Sequence, residues 1–351
     1  MIDLQTAIMA IIFFSILIFV HEFGHFIVAK LTGVKVLEFS IGMGPKGFST
    51  KKGDTVYSVR LLPIGGYVKM AGETGFEEDV VISDDPDFFT NKTVLQRAAV
   101  IIAGPLMNIL LAMALFALIF SIVGVPYIGT EVGQVVEDSP AARAGLEPGD
   151  KIVGANGQSI QEWDQLVGVI QNNPEESIDF VIIRDEKELN LTITPEIDPE
   201  SEKAIIGIIQ TQSLRKVNII EGLTLGIQQT IEIIVLTLSA LGKMIIGKMG
   251  AEGVAGPVGI IQLIGESAQV GWVYLVNLMA VISINLGLIN LLPIPALDGS
   301  KLIFLAIEGI RRKPVDLKKE NFVHLVGFAL LMALMLMITF RDIMRLFGLG
   351  D

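Results

Sequence analysis

Ala7-Ile-Met-Ala-Ile-Ile-Phe-Phe-Ser-Ile-Leu-Ile-Phe-Val20 runs straight into His21-Glu22-Phe23-Gly24-His25, and Phe26-Ile-Val-Ala29 carries the apolar run onward. Apart from Ser15 and the pentad this is the composition of a membrane span, which needs about 20 predominantly apolar residues. On a helix, H-E-x-x-H puts two imidazoles at i and i+4 on one face, spaced to share one Zn²⁺. The glutamate beside the first histidine can then act as general base toward water at the metal. Placing such a cluster at membrane depth is costly, so it is a functional candidate by default. The chain has three histidines and the pentad uses two, which weighs against chance.

Working outward, the 351 residues are 51% hydrophobic with a mean hydropathy of +0.62, the composition of an integral membrane protein. With no cysteine there is no disulfide framework, thiol nucleophile or Cys-type zinc site. The net charge of −12 is uneven: Gly124–Ile220 holds 17 Asp/Glu against 7 Lys/Arg, marking one polar segment. No basic stripe points to nucleic acid. The first twenty residues carry Asp3 and no Lys or Arg, and no small-x-small cleavage site follows, so the first span is expected to be retained rather than removed as a signal peptide.

These patterns predict a polytopic α-helical membrane protein with four transmembrane helices, a membrane-associated β-hairpin and an inserted extracytoplasmic domain. The expected divisions are 1–33 (first transmembrane helix), 34–94 (β-hairpin and loop), 95–123 (second helix) and 124–213 (polar domain). Then come 214–270 (amphipathic membrane-associated helix and Gly-rich linker), 271–310 (third helix) and 311–351 (basic loop and fourth helix). From Lys30 to Arg60 there are six basic and two acidic residues, and Arg311, Arg312, Lys313, Lys318 and Lys319 form a second basic loop. By the positive-inside tendency both loops face the cytoplasm. Phe39–Met70 has hairpin composition, with Gly65-Gly66 as a close-approach point, and its free edge could pair with an extended peptide. Glu73–Asp87 is acidic and turn-rich, and Gly104-Pro105 is expected to break the early part of the second span. Asn108 within that span reads as a helix–helix hydrogen-bonding residue. Ile219–Gly247 is interrupted by Glu221, Gln228, Gln229, Glu232, Thr237 and Lys243, so it reads as a helix lying on the membrane. His324, alone at the start of the last span, reads as interfacial rather than as a ligand.

Pro293 and Pro295 should unwind the third span and present Asp298 to a polar cavity near its cytoplasmic end. The topology then puts His21, His25 and Asp298 at one depth, two imidazoles and a carboxylate with a fourth position left for water, as a catalytic zinc site needs. In the polar domain, Ala144-Gly-Leu-x-x-Gly-Asp-x-Ile152 and Ile205-Ile206-Gly207-Ile208 resemble a circularly permuted PDZ domain. That likeness implies that the Ile206-Gly207-Ile208 loop binds a peptide carboxylate.

The combination of His21-Glu-x-x-His25, Asn290-x-x-Pro293-x-Pro295-x-Leu-Asp298-Gly299, Phe39-Ser-Ile-Gly-x-Gly44, Leu62-Pro-Ile-Gly-Gly-Tyr-Val-Lys-Met70 and Ala103-Gly-Pro-Leu-x-Asn108 resembles the site-2 protease family. The likeness is greatest to bacterial regulator of sigma-E proteases, and it covers nearly the whole chain. It implies a zinc endopeptidase of the bacterial cytoplasmic (inner) membrane, with its active site toward the cytoplasm. Such an enzyme cuts single-span membrane proteins within the lipid bilayer after an upstream site-1 protease has acted. It also implies that His21, His25 and Asp298 bind zinc, that Glu22 is the base and that Asn290 holds the substrate backbone. Gly65, Gly66, Tyr67, Val68 and Lys69 would clamp the substrate as an added strand. The enterobacterial type carries two tandem PDZ domains, whereas residues 124–212 have room for one. Two other readings stay open: a catalytically silent scaffold with a peptide-binding PDZ domain, against which the intact Glu22 weighs, and a metal transporter, for which internal repeats would be expected.

Overall fold

The computed structural model describes residues 3–73, 83–199, 201–248, 250 and 255–346. Most of the acidic stretch expected at Glu73–Asp87 and part of the Gly-rich linker expected within 214–270 therefore lie outside the described residues. The chain forms two compact units, one of Met1–Ile119 with Ile219–Asp351 and one of Phe120–Asn218.

The first unit opens with α1 (Leu4–Leu31), whose amide ends are capped by the Asp3 carboxylate accepting from Thr6 N–H at 2.8 Å. Strands β1 (Val36–Lys52) and β2 (Thr55–Met70) follow, then α2 (Val94–Val123). The hairpin is more than two strands wide. Residues 38–41 pair with Gly66–Lys69 on one side and with Val56–Val59 on the other, and Val56–Val59 pair in turn with Phe48–Lys51. Gly66–Lys69 thus sits at the margin of a folded-over sheet, partnered in the register by 38–41 alone. Helix α2 is continuous through Pro105, so the break expected at Gly104-Pro105 does not occur. The small residue there serves a close approach between helices instead, described below.

The second unit holds β3 (Val125–Val135), α3 (Pro140–Arg143), β4 (Lys151–Ala155), β5 (Gln158–Ser159), α4 (Trp163–Gln171), β6 (Ile178–Arg184), β7 (Lys187–Ile193), β8 (Glu196–Ile197), β9 (Ala204–Ile205) and β10 (Ile208–Arg215). Its main sheet runs in the order β10-β3-β4-β6-β7, so β10 is at one end. Ile152, Leu166, Ile178, Phe180, Ile182 and Ile206 close its core. Ser139 caps α3 by accepting from the Ala142 N–H, and Asp150 is buried against the Arg184 guanidinium at 2.7 Å. Burial alone would raise the Asp150 carboxyl; the hydrogen bonds from Arg184 and the Glu147 N–H outweigh it and hold the group below its ordinary value.

The first unit resumes with α5 (Ile219–Ile245), α6 (Pro257–Val270), α7 (Trp272–Leu291), α8 (Asp298–Arg311) and α9 (Leu317–Leu346). Five described helices are long and apolar enough to cross a membrane, α1, α2, α5, α7 and α9, against the four expected. The additional one is α5, read from sequence as a surface helix because of its scattered polar residues. Tertiary packing accounts for one of them, Thr237, and for a buried stripe of small residues beside it. Gly222, Gly226 and Thr230 form its buried stripe. A methyl at Gly226 would stand 2.8 Å from the Met113 carbonyl and the Ala117 nitrogen of α2. Thr237 donates to Asn285 of α7 at 3.2 Å.

These contacts also fix direction. Ser283 donates to the Asn108 carbonyl, and Gly287 packs on the Pro105 carbonyl, so α7 runs antiparallel to α2. The contacts of α5 with Met113 and Asn285 make it run the same way as α7. The chain therefore returns between them, through a segment that includes α6, about 21 Å long at 1.5 Å per residue. Because of that return, a fifth long helix does not invert the direction of α7 and the helices beyond it. The expected third span also divides: α7 ends at Leu291, and Asp298 opens a separate helix, α8, after the Pro293–Pro295 turn.

Candidate metal centre

On α1, His21 and His25 lie one turn apart on the face turned toward α2, 8% and 9% exposed. Their Nε2 atoms are 3.2 Å apart. Asp298 Oδ2 lies 3.1 Å from His21 Nε2 and 3.4 Å from His25 Nε2. These three atoms form a group able to hold a metal ion. Two imidazoles and a carboxylate are a donor set that zinc accepts, and three protein ligands leave one tetrahedral position open, the pattern of a catalytic rather than a structural site. The residues present therefore fit the ion.

Close approach of backbones makes the convergence possible. A methyl at Gly24 of α1 would stand 2.7 Å from the Ala103 carbonyl carbon, and one at Gly104 of α2 would stand 2.5 Å from His25 Cε1. The α2 backbone also orients His25, since its Nδ1 lies 2.8 Å from the Val100 carbonyl. A carbonyl can only accept, so Nδ1 carries the proton and Nε2 presents its lone pair to the site.

Asp298 is held from α9. The turn before it includes Ala296 at φ 74°, a left-handed conformation unusual outside glycine. Its N–H donates to His324 Nδ1 at 3.1 Å. One turn along, Gly327 lets α9 press on Pro295, where a methyl would come within 2.8 Å of the Pro295 carbonyl. His324 is 7% exposed. It braces the loop that carries Asp298.

A cavity of about 310 Å³ opens on this group, lined by His21, Glu22, His25, Tyr67, Val68, Met70, Glu73, Ile101, Asn290, Ala296, Asp298 and Lys301. Gly66 brings the sheet margin onto α1: a methyl there would stand 3.3 Å from Glu22 Cγ and 3.5 Å from Ile18 Cγ2. Gly65 takes φ 84° in the turn leading into that margin. Tyr67 is fixed by a hydrogen bond from Arg60 to its hydroxyl. Arg60 also pairs with Glu38 at 2.9 Å, and Ser58 donates to the same carboxylate at 2.6 Å. Burial would raise the Glu38 carboxyl, but the hydrogen bonds from Ser58, Arg60 and Tyr67 outweigh it and hold the group down at about 2. Val68 packs in the core beneath, and Lys69 pairs with Glu38 in the sheet register. Asn290 turns its amide back on the Leu286 carbonyl at 3.0 Å while lining the cavity. The segment after β2 is tied to α8 by the Glu73–Lys301 ion pair at 2.8 Å.

In the second unit, Gly207 takes φ 78°. The Ile206 and Gly207 carbonyls accept from Ala141 and Val136 N–H at 2.9 Å each. The Ile206 side chain is 1% exposed and packs in that unit's core, anchoring the loop from behind. Ile208 packs partly against the same core.

Sequence reasoning missed Lys301, Gly104, Val100 and the bracing by His324. Only Lys301, one helical turn after Asp298, carried a local signal that could have found it.

The chain matches the model of peptidase family M50 over residues 9–334. It is 35% identical to the regulator of sigma-W protease RasP of Bacillus subtilis, over 98% of this chain and 99% of that protein. A putative zinc metalloprotease of Clostridium acetobutylicum is 41% identical over 96% of both chains, and the probable protease eep of Enterococcus faecalis is 35% identical over 98% of this chain and all of that one. Among solved structures, the PDZ domain of an SdrC-like protein from Listeria monocytogenes covers 25% of this chain and 92% of its own length, at 23% identity and a TM-score of 0.23.

Proposed function

The chain belongs to peptidase family M50, the site-2 proteases, and on that premise we propose that His21, His25 and Asp298 hold its zinc and that Glu22 is its general base. It is a zinc metalloprotease and a multi-pass bacterial membrane protein with membrane-protein substrates. The observation that carries the residue assignment is the convergence of the three ligand atoms within 3.4 Å beside Glu22.

Zinc, when bound, supplies a Lewis acid that polarises the scissile carbonyl and acidifies water. The chain's own residues do the rest. Glu22 takes the proton from water and passes it to the leaving amine. The Gly65–Lys69 margin receives the substrate as an added strand, and the Asn290 amide steadies the substrate backbone. A transmembrane helix hides its carbonyls in i→i−4 hydrogen bonds, so hydrolysis requires local unwinding. Strand addition replaces the lost bonds, and the contact of Gly66 with Glu22 brings such a strand to the base. Substrates with Gly or Pro near the cut should be cleaved faster than an all-Leu span. The substrates that fit are single-span proteins already shortened by an upstream site-1 protease, such as pre-cleaved anti-sigma factors or remnant signal peptides. The basic loops orient the site toward the cytoplasm and the PDZ-like unit outside. There the Ile206-Gly207-Ile208 loop, its carbonyls already engaged, offers its N–H side to a peptide carboxylate.

The test is cleavage of a single-span substrate by the detergent-purified protein beside Glu22→Gln. Loss of cleavage in the variant with zinc retained, and in the wild type on adding a chelator, is the expected result. Normal cleavage by Glu22→Gln would refute the assignment of the base. Zinc bound without cleavage by either protein would leave two explanations, a substrate of the wrong kind and a silent scaffold.

A further inference from the structure

Asn108 sits on α2 with no exposed surface. Its amide nitrogen lies 3.3 Å from His21 Nδ1, and among the described residues its Oδ1 has no hydrogen-bond partner. Its backbone carbonyl is engaged separately, by Ser283 Oγ at 2.7 Å. The carboxamide is therefore buried in an apolar helix pair with one polar partner, and that partner is an imidazole of the metal centre. Burying an amide for a single contact costs stability that an alanine or leucine would not.

The direction of that contact follows from chemistry. Amide oxygen and nitrogen are assigned by their hydrogen-bonding network rather than by position, since the group can turn over in place. With nitrogen toward the ring, Nδ1 of His21 must be an acceptor, and Nε2 then carries the proton. An imidazole that offers its Nε2 lone pair to zinc carries its proton on Nδ1 and needs an acceptor there. His25 already has that arrangement, with the Val100 carbonyl accepting from Nδ1 at 2.8 Å. Turning the Asn108 amide over gives His21 the same arrangement with no change in backbone.

We propose that Asn108 is a positioning residue whose Oδ1 accepts the Nδ1–H of His21, fixing its tautomer and ring plane so that Nε2 faces the metal. The proposal rests on His21 being a zinc ligand. Together with Val100 it makes α2 the template that orients both imidazoles of α1.

The test compares wild type, Asn108→Leu, Asn108→Asp and Ser283→Ala, each purified in detergent. Zinc affinity is read by competition with a chromophoric chelator, and ligand geometry by the visible spectrum of the cobalt-substituted protein. Asn108→Leu should weaken zinc by about 10- to 100-fold and shift the cobalt bands, the usual effect of losing an outer partner. Asn108→Asp, an acceptor only, should stay within about tenfold of wild type. Ser283→Ala disturbs the same α2–α7 contact without touching the amide and should bind zinc as wild type does. Unchanged affinity in Asn108→Leu would overturn the proposal. So would a loss in Asn108→Asp as large as that in Asn108→Leu, which decides the matter even if the leucine variant folds poorly. Failure of the wild type to take up zinc would remove the metal assignment itself, and this inference with it.

Discussion

Gly104→Ala should disable the centre without touching a ligand. The new methyl would stand 2.5 Å from His25 Cε1 and 2.8 Å from Cδ2, and nearer still to Nε2, whereas ordinary contact begins at 3.4 Å. Ring and α2 backbone must separate by about 0.9 Å to relieve the Cε1 overlap alone. The ring cannot simply swing away, because Nδ1 is held at 2.8 Å by the Val100 carbonyl, one turn earlier on the same helix. Zinc–nitrogen bonds of about 2.0–2.1 Å tolerate roughly 0.2 Å of error. A displacement several times larger removes one ligand of three. Zinc affinity should fall by at least about 100-fold, beyond the usual effect of losing an outer partner. Cleavage should fall by about 10² or more, the cost of a 1 Å misplacement. Overpacking should also destabilise the α1–α2 pair by about 1–3 kcal/mol. The assay is zinc per chain at fixed, buffered free zinc, with the cleavage rate measured on the same preparation. Gly309→Ala on α8 is the control, since its nearest neighbour, Val94 Cγ1, is at 3.8 Å. If Gly104→Ala held zinc with wild-type affinity and cleaved at the wild-type rate, the packing argument for this site would be wrong.

Two further perturbations probe the cavity walls. Breaking the Glu73–Lys301 pair with Lys301→Met should loosen the segment after β2 from α8. With side chains 35% and 23% exposed, the loss should be on the order of 1–2 kcal/mol, between the values for surface and buried pairs. The reversed pair, Glu73→Lys with Lys301→Glu, should recover part of the melting temperature, and no recovery would show that the pair does not act as a unit. Glu38, held at about 2 against an ordinary 4.5, stabilises the folded sheet most above its unfolded-state value, and loses that contribution as pH falls through about 2. Protease protection of β1 and β2 should therefore decline between about pH 4.5 and 2 in wild type. In Glu38→Gln it should be weaker at neutral pH and flatter across that window. An identical acid profile in the variant would assign the transition to other groups.

The features legible in sequence were the local ones. The i,i+4 spacing of His21 and His25, the adjacency of Glu22 and the turn-forming prolines before Asp298 each depend on a few consecutive residues. Asp298 could be matched to the histidines because charge bias in loops sets which helix ends share a side. The second unit was readable for another reason: its excess of acidic residues and its Ala144–Ile152 and Ile205–Ile208 motifs are likewise runs of neighbouring residues.

The membrane helices offer no such record. A helix that is apolar all round shows no face by its composition, because lipid and neighbouring helix are equally apolar solvents for it. On α5 the scattered polar residues suggested a surface helix, and only the structure shows that its Gly222-Gly226-Thr230 stripe is buried and that Thr237 bonds to Asn285. Nothing local in the sequence shows that His324 braces Ala296, 28 residues away in the chain. Asn108 read as a helix–helix hydrogen-bonding residue, which it is, but nothing local showed that its partner is His21, 87 residues away. The sequence alone determined the chemistry available: two imidazoles, a carboxylate and a base. Only the tertiary structure decided which backbones come close enough for those groups to share one ion, because that depends on glycines and amides meeting across helices whose apolar surfaces look alike in sequence.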